Sequence, residues 1–401
     1  MIETDVFVAG AGVVSAIGNN LPECLDALEN SRAGIGPMHW LSSRHRDALP
    51  VGEVHLSNAA LADMTGLAPG APRTALLSAL AAREALESAG MGEMGSWRTG
   101  LISANSVGGM DKTEDFYAHF LSNPATGGRL RDVVHHECGR VTELMADLLG
   151  VRHYVSTIST ACSSSANAIF FGARMIRHNL LDVVIAGGTD GLARFTLNGF
   201  NSLMILDPAL CKPFDEHRKG LNLGEGAGYV VLVSARVAAA LKGEPLARLS
   251  GYCNANDAYH QTASSPDGTG SYLAMKGALA RAGLRPGDIS YINLHGTGTQ
   301  NNDIAEGTAI QLLFDPHFPP MSSTKSFTGH ALGGSGGIEA VFSVLAIKEG
   351  LIYPNLRLET PIEALPFSVE TLFRKNEDIR HVLSNSFGFG GNCTSLVFSK
   401  L

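Results

Sequence analysis

Short β-branched runs that pass at once into glycine- or serine-rich loops, and then into amphipathic segments, recur along this chain of 401 residues. This alternation constrains the fold most, because strand–loop–helix units bury their apolar faces as sheets covered by helices, the α/β class. Val6-Phe7-Val8-Ala9 reads as a buried strand and residues 22–28 as a helix. Residues 73–89 carry Leu76, Leu77, Leu80, Ala81, Ala85 and Leu86 at helical spacing and stop at Gly90. Residues 98–103, 182–188 and 229–233 read as further strands. After residue 244 the pattern resumes with a helix over 270–283, a strand over 289–294, a helix over 338–348 and a closing strand over 394–399. Each half holds a strand running into a Gly/Ser-rich loop and then a helix, so two similar units are predicted, 1–243 and 244–401.

Two stretches fit the alternation poorly. Residues 31–72 are rich in Gly, Pro and polar residues and read as an excursion over the surface. Gly10-Ala11-Gly12-Val13-Val14-Ser15 has the outline of a dinucleotide loop but Ser15 at the third glycine position, which favours a tight turn out of the first strand.

Composition narrows the function classes. Hydrophobic residues make up 45% and charged residues 17%, a well-buried globular balance. A net charge of −8 without a long basic run disfavours nucleic acid and anionic membranes as partners. No apolar run approaches the ~20 residues of a membrane span. The six cysteines form no C-x-x-C pair, which suits free thiols in a reducing cytoplasm. Residues 1–5 are acidic and lead straight into a strand, so no signal peptide is expected. His135-His136-Glu137-Cys138 places ligand types side by side, where they point apart on a helix, and no metal site is expected.

The chemistry concentrates in four loops. Tyr154-Val155-Ser156-Thr157-Ile158 leads into Ser159-Thr160-Ala161-Cys162-Ser163-Ser164-Ser165, and an amphipathic segment over 169–177 leads out. A thiol at a helix start faces unpaired N–H groups that favour an anion, so Cys162 reads as a nucleophile or as a small packed thiol. His295 and His330 each sit on a glycine-flanked loop. A neutral imidazole can donate to a developing oxyanion, and a thiolate forms thioesters, so the three together suit acyl transfer followed by attack of an enolate. Gly388-Phe389-Gly390-Gly391 lets a backbone N–H approach that thioester and, with the Cys162 N–H, form an oxyanion hole. Lys325 and Glu306 read either as a buried pair fixing the histidine loops or as an ordinary surface pair.

These residues resemble a known family. Thr160-Ala161-Cys162-Ser163, the run His295-Gly296-Thr297-Gly298-Thr299, Ser323-Thr324-Lys325-Ser326-Phe327-Thr328-Gly329-His330 and Asn385-Ser386-Phe387-Gly388-Phe389-Gly390-Gly391 look like the signatures of β-ketoacyl-[acyl-carrier-protein] synthases, the elongating Cys-His-His class of the thiolase superfamily. Lys212-Pro213-Phe214-Asp215 and Leu223-Gly224-Glu225-Gly226-Ala227-Gly228 match it too, and the likeness runs over essentially the whole chain. The resemblance implies the thiolase fold, two similar halves stacked as five layers α-β-α-β-α. It implies decarboxylative Claisen condensation of an acyl thioester with malonyl-acyl-carrier protein, in fatty-acid, polyketide or aryl-polyene chain elongation. Cys162 would carry the acyl chain, and His295 and His330 would assist decarboxylation and hold the enolate. Lys325, paired with Glu306, would organise the site. Phe389 would gate it with its N–H in the oxyanion hole, and Phe387 would support it. Thr297 and Thr299 would meet the phosphopantetheine arm, Gly390 would meet substrate, and Val107 would line the acyl pocket. No resident cofactor is implied, since the arm arrives on the acyl- or malonyl-loaded carrier. A homodimer is implied, with a heterodimer of related ketosynthases as the other arrangement.

The departures bear on substrate choice. Gln300-Asn301-Asn302-Asp303 stands where the family commonly reads Pro-x-Gly-Asp, and Arg218-Lys219-Gly220-Leu221 where Arg-Asp-Gly-Phe is usual. Asn392-Cys393 replaces Thr-Asn. A specialised pathway is therefore as compatible as primary fatty-acid synthesis. Degradative thiolases use a second cysteine, which Cys393 mimics, but this chain supplies the His330 motif instead. A non-catalytic chain-length-factor-like partner is the remaining alternative, and such proteins typically lack the cysteine. An acidic carrier needs a local basic patch on this acidic chain, for which Arg73, Lys212, Arg218 and Lys219 are the candidates by position.

Overall fold

The computed structural model describes residues 5–91, 97–123, 128 and 130–401. The first four residues, on which part of the signal-peptide reading rests, lie outside them. The N-terminal half runs β1 (Val6–Ser15), α1 (Leu21–Glu29), β2 (Ile35–Gly36), β3 (Val51–Gly52), α2 (Asn58–Thr65), α3 (Arg73–Ser88) and β4 (Thr99–Ala104). It continues with α4 (Met110–Ser122), α5 (Cys138–Leu149), β5 (Tyr154–Ile158), α6 (Ser164–Arg177), β6 (Val183–Asp190), α7 (Arg194–Ser202), β7 (Gly226–Ser234) and α8 (Ala235–Ala238). The C-terminal half runs β8 (Ala247–Asn256), α9 (Thr269–Ala282), β9 (Tyr291–Asn293), α10 (Gln300–Phe314), β10 (Met321–Ser322), α11 (Lys325–Thr328), α12 (Ser335–Glu349), β11 (His381–Gly388) and β12 (Asn392–Ser399).

Ten of the strands form one mixed sheet in the order β10-β9-β11-β12-β8-β1-β7-β6-β4-β5, and β2 and β3 pair antiparallel in a separate two-stranded sheet. The two halves meet at β1 and β8, which pair antiparallel only at Phe7–Arg248 and Val8–Ala247. Either side of that seam lie five strands in the same order of pairing.

Period-two side-chain alternation separates the cores. On β7, Val230 and Leu232 point into the central core, whereas Tyr229, Val231 and Val233 point into an outer one that includes α3. On β11 and β12, Val382, Leu396 and Phe398 join the same central core, while Leu383 and Val397 join a second outer core under α9 and α10. Three cores between two sheet halves make five layers: α3, sheet, α6 with α12, sheet, α9 with α10. The five-layer thiolase stacking is therefore present. α12 is buried from Ser335 through Ile347 on every face, as a helix sandwiched between two sheets must be. Each fully buried aliphatic side chain in these cores contributes about 1.5–3 kcal/mol.

Two sequence expectations change. Gly10 and Gly12 are neither a nucleotide loop nor a turn but lie inside β1. A Cβ at Gly10 would come within 2.3 Å of the Ala85 carbonyl oxygen, and one at Gly12 within 2.2 Å of that of Ala81. The glycines let the alanine-rich face of α3 press directly on the strand. Residues 31–72 are not a surface excursion throughout, because Val54, Leu61 and Ala62 are buried in the outer core against α3. α2 forms there between a Ser57 cap, whose Oγ accepts from the Ala60 N–H at 3.1 Å, and a left-handed Gly66.

Candidate active site

The chemical loops gather beyond the carboxyl ends of β5, β9 and β11, where α/β sheets present functional groups. The turn after β5 holds Ala161 at φ +53°, an uncommon conformation for a residue with a side chain, and closes with a bridge between Thr160 and Cys162. α6 begins two residues after Cys162. The end of β11 is brought against this turn by Gly388, where a Cβ would sit 3.0 Å from the Thr160 carbonyl oxygen and 3.2 Å from the Cys162 nitrogen. The backbone N–H groups of Phe389 and of Cys162 itself both act on the thiol. This is the pair expected for an oxyanion hole.

Burial dominates the thiol's acidity and pushes it up to about 11, against opposing pulls from the Lys325 charge and the Phe389 N–H. The backbone N–H groups at the helix start do favour the anion, as the sequence implies, but burial opposes them more strongly. Desolvation thus favours the neutral thiol over the thiolate at this position.

His295 follows β9, and Gly296 (φ +34°) and Gly298 (φ +83°) shape the loop behind it. Glu306 on α10 accepts the His295 N–H at 2.9 Å, the Gly296 N–H at 2.8 Å and the Asn385 side-chain amide at 3.1 Å. Lys325 does not pair with Glu306. Its ammonium donates to His295 Nδ1 at 3.2 Å, to the His295 carbonyl oxygen at 2.6 Å and to Glu339 on α12. The reason is geometric: Glu306 is committed to backbone N–H groups, whereas Glu339 lies within reach on the central helix. Burial pushes both Glu306 and Glu339 up to about 7.

His330 sits between α11 and α12. Its N–H donates to the Asn222 carbonyl oxygen at 2.8 Å, and its own carbonyl oxygen accepts from the Gly224 N–H at 2.9 Å. Its Nδ1 lies 3.1 Å from the Leu332 N–H and 3.0 Å from Ser335 Oγ. A backbone N–H and an ammonium can only donate, so Nδ1 is the acceptor in both His330 and His295, and the ring proton of each sits on Nε2. The rings stand edge to face at 84° with centroids 5.4 Å apart. Burial first, and then the Lys325 charge, hold both imidazoles well below the usual histidine range. Both are neutral N–H donors.

A cavity of about 450 Å³ is lined by Cys162, His295, His330, Phe387, Phe389, Thr297 and Thr299 among others. The Phe389 ring stacks on Phe200 at 5.7 Å, and the Phe387 ring lies 5.9 Å from His295. Val107 and Gly390 do not line it. Val107 is packed in an apolar cluster with Leu197, Leu332 and Leu221, the last of which lines the cavity. Gly390 turns away at φ +78°, donating its N–H to the Gln261 carbonyl oxygen at 2.8 Å. Cys393 is buried behind Phe387 with its thiol pushed up to about 12. Of the basic candidates, Arg73 is buried on Glu225, Arg218 is buried beside Asp303, and Lys212 is paired with Glu359. Only Lys219 reaches the cavity.

Sequence reasoning passed over Phe200, Met204, Ile205 and Thr262, which complete the wall. The signal for the first three was slight, large apolar residues set among Asn, Gly and Ser in 198–205, and Thr262 carried none. It also passed over Asp190, whose buried carboxylate accepts the N–H groups of Ser106, Val107 and Gly333 and ties their loop to the segment after His330.

The N-terminal domain model of β-ketoacyl synthases matches residues 3–238 and the C-terminal domain model matches residues 246–359. The chain is 33% identical to 3-oxoacyl-[acyl-carrier-protein] synthase 2 of Synechocystis sp., over 98% of each chain. It is 32% identical to nodulation protein E of a Rhizobium species, over 99% of each. Among solved structures, the ishigamide ketosynthase/chain length factor aligns with a TM-score of 0.93 at 27% identity, over 100% of both chains. A Xenorhabdus doucetiae ketosynthase (ApeO), solved in complex with its chain length factor (ApeC), aligns with a TM-score of 0.85 at 30% identity, over 99% of this chain and 98% of that one.

Proposed function

This chain belongs to the β-ketoacyl synthase family, and we propose that Cys162, His295, His330 and Lys325 divide the work of its condensing reaction among them. The enzyme is an acyltransferase that joins an acyl thioester to malonyl-acyl-carrier protein with loss of CO2. The observation that carries the assignment of roles is the pair of neutral imidazoles, both with Nδ1 engaged, facing one cavity with the Cys162 thiol.

In the first half-reaction the Cys162 sulfur bonds to the acyl carbonyl carbon, the thioester C–S bond breaks, and the arm departs as a thiol. Net proton movement is from thiol to thiol, so no base in the site is left protonated. The Phe389 and Cys162 N–H groups receive the tetrahedral oxyanion. The malonyl thioester then enters, and its carbonyl oxygen accepts from His295 and His330. As the C–C bond to the carboxylate breaks, its electron pair forms an enolate held by those two donors, and CO2 leaves. The enolate carbon attacks the acyl-Cys162 carbonyl, the sulfur departs and takes a proton from solvent, and a β-ketoacyl thioester is released. Lys325 acts through His295 by fixing its tautomer and keeping it neutral. Phe389, stacked on Phe200, serves as the gate beside the thiol, and Thr297 and Thr299 meet the arm.

The acyl-carrier protein is the proposed partner and brings the arm, so the reading needs no resident cofactor. The active species is proposed as a pair of chains, alike or related, in the cytoplasm. The likeness to ketosynthases solved with chain length factors supports the pairing, and six free cysteines support a reducing compartment. The cysteine argues against a purely non-catalytic partner. The test is incubation with a panel of acyl-carrier proteins plus malonyl-carrier protein and mass analysis of the products. A two-carbon-longer β-keto product with CO2 is expected, and its absence across the panel, with a related chain also supplied, would refute the reading.

A further inference from the structure

The cavity wall carries one permanent charge. Among the described residues that line it there is no carboxylate and no guanidinium, both histidines are neutral, and Lys219 is the sole cation. Lys219 is exposed and has no ion-pair partner among the described residues, unlike Arg73, Lys212 and Arg218 nearby in sequence or position.

Its backbone is held on both sides. Arg218 donates to the carbonyl oxygens of Asp215 at 2.9 Å, Thr299 at 3.2 Å and Gln300 at 2.9 Å, while the Leu221 N–H donates to the Ile205 carbonyl oxygen at 2.9 Å. The polar wall beside it is equally fixed: Asn301 Oδ1 accepts the Ser264 N–H at 2.7 Å, and Asn301 Nδ2 donates to the Ser264 carbonyl oxygen at 3.1 Å. An exposed lysine without an ion-pair partner, lining the same cavity as the buried Cys162, is a receptor for an anion on the molecule that reaches the thiol.

Resting on the function proposed above, we propose that Lys219 is a specificity residue that receives the phosphate at the outer end of the substrate's pantetheine arm. A phosphate needs one cation at the cavity wall. An acidic protein surface needs several free ones, and the other three basic candidates are already engaged. Lys219 stands where the family pattern has an aspartate, so this contact belongs to this chain's own sequence.

The test compares acylation of Cys162 by butyryl-4′-phosphopantetheine and by butyryl-pantetheine, read by intact mass. In each case the Sγ–acyl bond forms, the thioester C–S bond breaks and the arm leaves as its thiol. Wild type is expected to favour the phosphorylated thioester by about tenfold, less at high salt. K219A should bring the ratio near unity, K219R should restore most of it, and K219E should invert it. Equal ratios in wild type and K219A would overturn the proposal. So would a K219A defect confined to carrier-delivered acylation, which would assign Lys219 to an acidic side chain of the carrier. If wild type forms an acyl-enzyme that never condenses with malonyl-carrier protein, the proposed function fails while the ratio still decides the role of Lys219. If no acyl-enzyme forms, protection of Cys162 from iodoacetamide by 4′-phosphopantetheine over pantetheine decides it: stronger protection by the phosphorylated arm, lost in K219A, supports the role, and equal protection overturns it.

Discussion

Lys325 has three protons and three acceptors: a ring nitrogen, a carbonyl oxygen and Glu339. That saturation fixes the His295 tautomer, and its charge also draws the Cys162 thiol downward against burial. A thiol raised to about 11 is protonated at neutral pH, so its alkylation by iodoacetamide should climb steadily from pH 7 toward 11 without a plateau near 8.5. Lys325→Met removes the downward pull and should slow labelling at a fixed pH by about tenfold, one unit of thiol acidity. A plateau below pH 9, or faster labelling in the variant, would contradict the charge account. His330→Ala should cut malonyl decarboxylation by about 10²–10³ while slowing acyl transfer to Cys162 much less. Comparing CO2 release with acyl-enzyme formation measures that split, and an equal loss in both would show that the imidazole serves another step. Cys162 was legible in the sequence because it stands in a small-residue turn after a β-branched run, and His295 and His330 because each stands on a glycine-flanked loop. The partner of Lys325 was not, because charge carries no address: Glu306 and Glu339 are alike until the backbone N–H groups of residues 295 and 296 claim the first.

At the scale of elements, the site depends on how closely β11 meets the turn before α6. Gly388→Ala places a methyl 3.0 Å from the Thr160 carbonyl oxygen, so the strand end must move and carry the Phe389 N–H with it. Acylation should fall by about 10²-fold or more with a modest loss of stability, seen by comparing single-turnover rates with urea melts. Gly10→Ala should do the opposite. Its Cβ would meet the Ala85 carbonyl oxygen at 2.3 Å, so α3 is pushed off β1 at a cost of about 1–3 kcal/mol in denaturant unfolding, with little change in the chemistry. Most strands and helices were readable from their periodicity. The glycines of β1 were not, since a close approach between strand and helix looks, in sequence, like a loop. Val107 was placed on the pocket wall by resemblance; it is absent from the lining of the Cys162 cavity but packs in one cluster with Leu221 and Phe200, which do line it, while its N–H donates to the Asp190 carboxylate.

At the scale of the molecule, two halves with the same strand order bring loops distant in sequence into one cavity: Cys162 from the first half, His295, His330 and Phe389 from the second. Repetition of strand, loop and helix announced two similar units, but only the stacked sheets reveal that one central core serves both. The central claim is that this cavity loads an acyl group on Cys162 and extends it there. Intact-mass analysis after incubation with acyl-carrier protein, followed by addition of malonyl-carrier protein, tests it directly. A single acyl adduct mapped to Cys162, absent in Cys162→Ala and discharged with one CO2 per site, is the predicted result. An adduct on another residue, or an acyl-Cys162 that persists while malonyl-carrier protein remains intact, would contradict it.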